Sequence, residues 1–438
     1  MYLVKNNKQP YWKHFQLFFI LTNLLLANLY VPKISTLCVP IIFALGAISF
    51  VFDKHPIIKI RKSSKSTRLF LTALILITFF SFIYFETVHS YNFIDDTSSL
   101  IYMIAVPLSY FVGYSLDYVR LPYWPKNLMF ISLFLICGGV AFVFLSIIQL
   151  NNASFTDFII QNRRVPSFWG LNSEAINGPT LDLYNILGIS LVSILLFGWS
   201  KKSDISHKLV FVLALSTFLM SLYSSISLLG RTPIIALIIS GTTSTIFIIN
   251  KAHFKNKFIL ILVLILATLI FISSYEQLFP QISNYFLENN LLTRFEKMGL
   301  ESGRYELWRT VLTNMFRYPF GERKILLPSG DNYAHNLWLD VAYDAGIIPM
   351  FLLIWFHVLH IHPFYKVLSA ELPKLLLILL ISLGVAFIIG FIGTPVIQGS
   401  RYYFATSCFF LGLVAKLASD LDSLSTKKGD VRSKILKQ

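Results

Sequence analysis

Three separated segments of this chain carry residue types that handle phosphate and protons: Arg231 in "LLGRTPIIAL", Arg304 in "ESGRYELWR" and His335 in "YAHNLWLD". A guanidinium is always charged and presents a planar fork of donors to two oxygens, which suits phosphate. Histidine titrates near neutral pH and can take or give a proton in the same site. Two arginines and a histidine on one membrane face are the set a lipid-pyrophosphate donor requires. The arginines would neutralise the leaving pyrophosphate while the histidine handled or oriented the attacking hydroxyl. Each residue also has an ordinary structural explanation: arginine at a span boundary snorkels to headgroups, Arg304 has Glu301 and Glu306 nearby, and many helices start with a histidine that does nothing.

The elements that must position these groups are legible in part. In "GDNYAHNLWLDVAYDAG" (330–346) a helix begins near His335 and runs into the next apolar span, so His335 stands beside the unpaired N–H groups and partial positive charge of a first turn. Upstream, "SGRYELWRTVLTNMF" is expected to form an amphipathic helix capped by Ser302, with Tyr305, Trp308, Val311, Leu312, Met315 and Phe316 on one stripe. Pro319 and Gly321 break it, and "GERKILLPSGDNYA" is expected as an irregular connection. Asp340 and Asp344 share a helix face one turn apart, placed to orient side chains or line a polar groove.

Hydrophobic residues make up 55% of the 438 residues, and the mean hydropathy is +0.66. Apolar runs of about 20 residues, enough to cross a hydrocarbon core about 30 Å thick, recur from end to end. The expectation is an all-α polytopic membrane protein, one membrane domain over 1–438 with twelve spans near 15–32, 34–52, 69–87, 99–118, 128–150, 179–199, 209–229, 233–249, 258–275, 346–361, 375–393 and 401–417. The continuously apolar runs exclude the alternating pattern of a β-barrel. The segments 53–68, 201–208, 251–257 and the C-terminal tail are basic and fall on one side, which makes both termini cytoplasmic. The opposite face receives one long polar loop, 276–344, between the ninth and tenth spans. Much of the net charge of +15 then lies at an anionic lipid surface, and the expected partners include membrane lipids but no nucleic acid. Cys38, Cys137 and Cys408 fall inside expected spans as packing residues. The first span follows a basic stretch and has no small-residue cleavage site, as a retained signal anchor would.

"GRTPIIAL" after an apolar span, then "SGRYELWRTVLTNMFRYPFGE" and "AHNLWLDVAYDAGIIPMFLL" running into the next, resemble the O-antigen ligase and polymerase superfamily of bacterial envelope glycosyltransferases. The motifs cover 215–360 and the topology the whole chain. The resemblance implies a GT-C-like fold in the bacterial inner membrane with its active site facing the periplasm. It implies inverting, metal-independent transfer of a glycan from an undecaprenyl-pyrophosphate-linked donor to lipid A-core or to a lipid-linked glycan acceptor, without a cofactor. The family's loop arginine corresponds to Arg304, its histidine to His335, and its arginine at the outer end of a mid-chain span to Arg231. His335, Asn336 and Gly346 keep the ligase spacing of histidine, small polar residue, nine residues and glycine. The continuation beyond Gly346 departs from that pattern, and Thr232 follows Arg231 where the family usually has Gly. Ligase and polymerase both stay open, with the histidine spacing favouring the ligase.

Substrate contacts are expected from Arg309 and Asn336 beside the motif residues, from Arg163, Arg164 and Trp169 in "IIQNRRVPSFWGLNSEAINGPT", and from Arg401 after "GTPVIQGS". Interface aromatics and polar loops explain the same residues. "FHVLHIH" offers His357, His360 and His362 at a spacing that can suit a metal, but at the cytoplasmic end of the tenth span and away from the site, so no metal is expected. A transporter or flippase of lipid-linked sugars is the rival class. It predicts charged residues along a path through the bundle, and Asp182 and Arg401 are the main candidates in this chain.

Overall fold

The computed structural model describes residues 65–116, 124–155, 159, 164–166, 168–169, 175–176, 178–197, 205–228, 231–249, 304–328, 332–370 and 372–435. The expected spans 15–32, 34–52 and 258–275, Arg163 and the loop residues 276–303 lie outside them. Thirteen α-helices are described, with one 3-10 turn (Ala153–Phe155): α1 (Lys65–Ser90), α2 (Asp96–Ser115), α3 (Trp124–Leu150), α4 (Gly178–Ser190), α5 (Val192–Phe197), α6 (Ile205–Ser227), α7 (Arg231–Ile249), α8 (Arg304–Asn314), α9 (Leu337–Ala345), α10 (Ile347–Ser369), α11 (Lys374–Gly393), α12 (Val396–Gly399) and α13 (Arg401–Ile435). The β-structure among the described residues is a two-residue antiparallel ladder, β1 (Val165–Pro166) on β2 (Ala175–Ile176), so the described part of the chain is mostly helical, as an all-α membrane protein would be.

Seven of these helices are long and apolar enough to cross a membrane, namely α1, α2, α3, α6, α10, α11 and α13, and the segments Thr180–Leu196 and Ile235–Ile246 are shorter apolar helices. This is the makeup of a multi-pass membrane protein. Their apolar surface is divided as lipid and protein neighbours require: Phe80, Tyr84, Phe356 and Phe409 are fully buried, whereas Phe79, Phe82, Leu219 and Trp355 face outward.

Close packing in such a bundle depends on small residues, because lipid is as apolar as leucine and supplies little drive for helices to associate. α2 and α13 meet where a Cβ on Gly113 would collide with the Phe409 carbonyl and a Cβ on Gly412 with the Tyr110 carbonyl. The span expected as one helix over 179–199 is broken at Leu191 into α4 and α5. Ile194 N–H turns to the Leu191 carbonyl, and the freed Ser190 carbonyl accepts from Ser240 Oγ on α7 at 2.9 Å. A neighbouring hydroxyl thus satisfies the backbone at the break, as lipid could not.

Candidate functional site

α8, α9 and the connection between them gather on one end of the bundle. Ala334 N–H and Asn336 N–H, on either side of His335, donate to the two Asp340 oxygens at 2.6 and 3.1 Å. Asn336 is the N-cap of α9, its side chain accepting from Leu339 N–H. His335 itself is left-handed, with φ of 58°, a conformation a non-glycine residue holds only where its surroundings over-determine it. The Asp340 clamp and the cap supply that constraint. Trp308 on α8 adds a third tie, its Nε1–H donating to the Ala334 carbonyl at 2.8 Å.

Arg304 opens α8 one turn before Trp308, about 6 Å along the helix axis, and so lies on the face that reaches the histidine segment. Its two terminal nitrogens each lie 3.4 Å from Thr232 Oγ1. Thr232 is the second residue of α7, directly after Arg231. Gly393 at the end of α11 packs on both: a Cβ there would crowd Thr232 and come within 3.6 Å of the guanidinium. Asp182 on α4 is within electrostatic reach of Arg304. The loop arginine, the start of α7 and the histidine turn are therefore joined through Arg304–Thr232 and Trp308–Ala334.

A second cluster holds α9 from its other end. The segment 319–324 lies along the α9–α10 junction, where Glu322 and Arg323 N–H donate to the Asp344 and Tyr343 carbonyls and Ile347 N–H donates to the Pro319 carbonyl. Orphan groups of one helix end and one helix start are satisfied together. Gly321 and Gly346 make this possible: their φ angles are 71° and 90°, and a Cβ on either would strike the backbone of the other strand of the turn. Arg323 then reaches the fully buried Asp344, Nε–H donating to Oδ1 at 2.8 Å. Tyr84 on α1 donates to Oδ2 at 2.9 Å, and Gln398 on α12 donates to the same oxygen. The Arg323 guanidinium stacks 3.6 Å from the centroid of Phe93, with Tyr333 and Tyr343 at 5.2 and 5.5 Å.

The charges respond to this packing. Burial lifts Asp340 well above the usual carboxylate range and the Asp344 charge one turn away adds to it, against the two backbone donors. Burial raises Asp344 as well, against the pull of Arg323, Tyr84 and Gln398. Burial opposes the Arg323 charge, but the Asp344 carboxylate overcomes it and holds the guanidinium above its ordinary range.

The other expected site residues divide. Asn336 is buried as the cap of α9. Arg309 is exposed and points about 140° around α8 from Arg304. Arg401 opens α13 and lies over the Tyr102 ring at 5.4 Å. Its charge adds to the Ser98 hydrogen bonds that hold Asp95, the N-cap of α2, below its usual range. Arg164, next to β1, and Trp169, edge-on to Phe168, are both exposed.

α10 continues to Ser369, so His357 and His360 stand at mid-helix and not at its cytoplasmic end as the sequence suggested. Each has a local use. Trp338 Nε1–H donates to His357 Nδ1 at 3.2 Å, while His360 donates to the Phe356 carbonyl at 2.7 Å and accepts from Tyr110 at 3.1 Å. No group of three or more His, Cys, Asp or Glu side chains among the described residues could hold a metal ion.

The sequence matches no protein-family model and no curated protein.

Proposed function

We propose that the chain is a GT-C-like integral membrane glycosyltransferase with twelve spans. It transfers a glycan from undecaprenyl pyrophosphate to an acceptor on the periplasmic face of the bacterial inner membrane, in surface-polysaccharide assembly. The observation that carries the proposal is the joining of Arg304 to the start of α7 at Thr232 and to the His335 turn through Trp308. A reaction that expels pyrophosphate needs cationic donors where charge accumulates, and in a low-dielectric site such fixed donors are the largest contribution to rate. Arg304 and Arg231 take that role. The acceptor hydroxyl forms its bond to the anomeric carbon as the carbon–oxygen bond to pyrophosphate breaks, and the hydroxyl proton passes to His335. One displacement inverts the anomeric centre.

The spacing of His335, Asn336 and Gly346 favours a ligase acting on lipid A-core over a polymerase joining lipid-linked repeats. Surface polysaccharide of a deletion strain, separated on gels, tests both levels. Loss of every capped form, single-repeat forms included, is the ligase result, and retained single repeats are the polymerase result. Complementation by Arg304→Ala or His335→Ala should fail although the protein inserts. Normal polysaccharide with either variant would remove that residue from the mechanism.

A further inference from the structure

The stripe expected on α8 is wider than the protein covers. At about 100° per residue, Tyr305, Arg309, Leu312 and Phe316 fall within about 60° of arc, and Glu306, Thr313 and Arg317 follow on one side of it. On the other side Leu307, Val311 and Met315 are buried against the protein. The helical bonding continues past Asn314, with Met315 N–H on the Val311 carbonyl and Tyr318 N–H on the Asn314 carbonyl, so Phe316 belongs to the same surface. Tyr305 is 66% exposed, Leu312 48%, Phe316 68% and Phe320 70%. The helix therefore has three faces: one packed, one polar, and one apolar and outward.

That third face continues a surface of known kind. The backbone of Pro319–Phe320 packs directly on Gly346, where α10 begins. On α10, a membrane-crossing helix, Ile348, Phe351, Trp355 and Val358 form an exposed stripe at helical spacing. Through its backbone contact with Gly346, Phe320 stands beside the start of that helix, and Phe316 lies on the turn just before it. At its other end α8 is fixed at bundle height, because Arg304 touches Thr232 at the start of α7 and Gly393 at the end of α11. Aromatic and aliphatic residues with an arginine among them, bordered by a polar edge, compose a helix that lies in the plane of a bilayer interface, with the arginine head snorkelling to the headgroups.

We propose that the outer face of α8 and the turn after it are seated in the interfacial zone of the bilayer. The loop helix is then a membrane-surface element and not a water-exposed domain, and Arg304, on its packed side, is held at the edge of the lipid. This inference is independent of the reaction proposed above. It also leaves Arg309 as a lipid-facing residue.

The test uses the full chain with Cys38, Cys137 and Cys408 replaced by alanine, in lipid nanodiscs of phosphatidylethanolamine and phosphatidylglycerol. A nitroxide is attached in turn at Leu312→Cys, Phe316→Cys and Phe320→Cys, with Glu306→Cys and Thr313→Cys as the polar-edge pair. Each variant is first checked for a monodisperse size-exclusion profile. Collision rates with molecular oxygen, which concentrates in lipid, and with a water-soluble nickel chelate are then compared. The proposal expects oxygen to be favoured several-fold at the first three positions and the chelate at the other two. Equal access of the chelate to all five would overturn it. So would closure of Leu312, Phe316 and Phe320 to both reagents, the sign of cover by residues 250–303 or by a second copy of the chain.

Discussion

Replacing Arg323 by alanine leaves the Asp344 carboxylate fully buried with Tyr84 and Gln398 as its remaining donors. Breaking a buried ion pair by removing one partner costs about 3–5 kcal/mol, because the other charge stays out of water. Arg323 keeps some contact with solvent, which places the loss near the lower end, and the stacking on Phe93 at 3.6 Å adds about 1 kcal/mol. The expected loss is about 3–4 kcal/mol, or two to three orders of magnitude in the unfolding constant at roughly 1.4 kcal/mol per tenfold. Equilibrium unfolding in mixed micelles of rising dodecyl sulfate content reads it. The double variant Arg323→Leu with Asp344→Leu should recover most of the loss, since apolar residues can replace a buried pair at little cost.

The pH dependence has a definite sign. Loss of Arg323 removes the largest influence holding Asp344 down, so its folded pKa moves further above the unfolded value of about 3.9. A carboxyl raised on folding contributes stability below the unfolded pKa and loses it as pH rises through the folded pKa. The gap between wild type and Arg323→Ala should therefore be smallest near pH 4 and widen upward. A gap that stays constant with pH, or a double variant no better than the single one, would refute the view that Arg323 acts by compensating a buried charge.

Asp340→Asn replaces one acceptor of the clamp around His335 with a donor facing a backbone N–H. The Ala334 and Asn336 amides should lose about tenfold or more of their hydrogen-exchange protection, a buried donor left without its acceptor costing about 1–3 kcal/mol; unchanged exchange would remove Asp340 from that role. Gly346→Ala meets both a φ of 90° and the Pro319 carbonyl, and should lower stability in the same micelle titration by about 2 kcal/mol or more. Alanine accepted without loss would show that the α9–α10 turn is not as tight as described.

Much of the helical layout was legible because each span carries its own apolar run, and lipid demands that a run satisfy its own backbone. The break at Leu191 was not, since it depends on Ser240 from another helix taking the freed carbonyl. Arg304 and His335 are legible as residue types, and a helix start near His335 from the pattern around it; the sequence predicts that helix running on into the span, whereas it ends at Ala345 and a new helix starts at Ile347 after the positive φ of Gly346. In the sequence Arg323 is one more basic residue of an irregular connection. Its placement depends on positive φ at Gly321, Glu322 and Arg323 in succession, which no periodicity announces. The signal available was Asp344: a carboxylate one turn from Asp340 on a helix entering an apolar span needs a countercharge, and "GERK" is a nearby source of one. The stripe on α8 was legible as a stripe, but its division into a packed half and an outward half follows from what α9 can cover.

Reconstitution tests the central claim most directly. The purified chain in nanodiscs is given a labelled undecaprenyl-pyrophosphate-linked glycan, with lipid A-core in one arm and a second lipid-linked repeat in the other, in buffer with a metal chelator. The account predicts an inverted glycosidic product in one arm from the wild type, and loss of at least about 100-fold in rate in Arg304→Ala and His335→Ala, the scale of removing one electrostatic or acid–base contributor. Movement of the glycan across the bilayer with no bond formed, or full transfer by both variants, would contradict it.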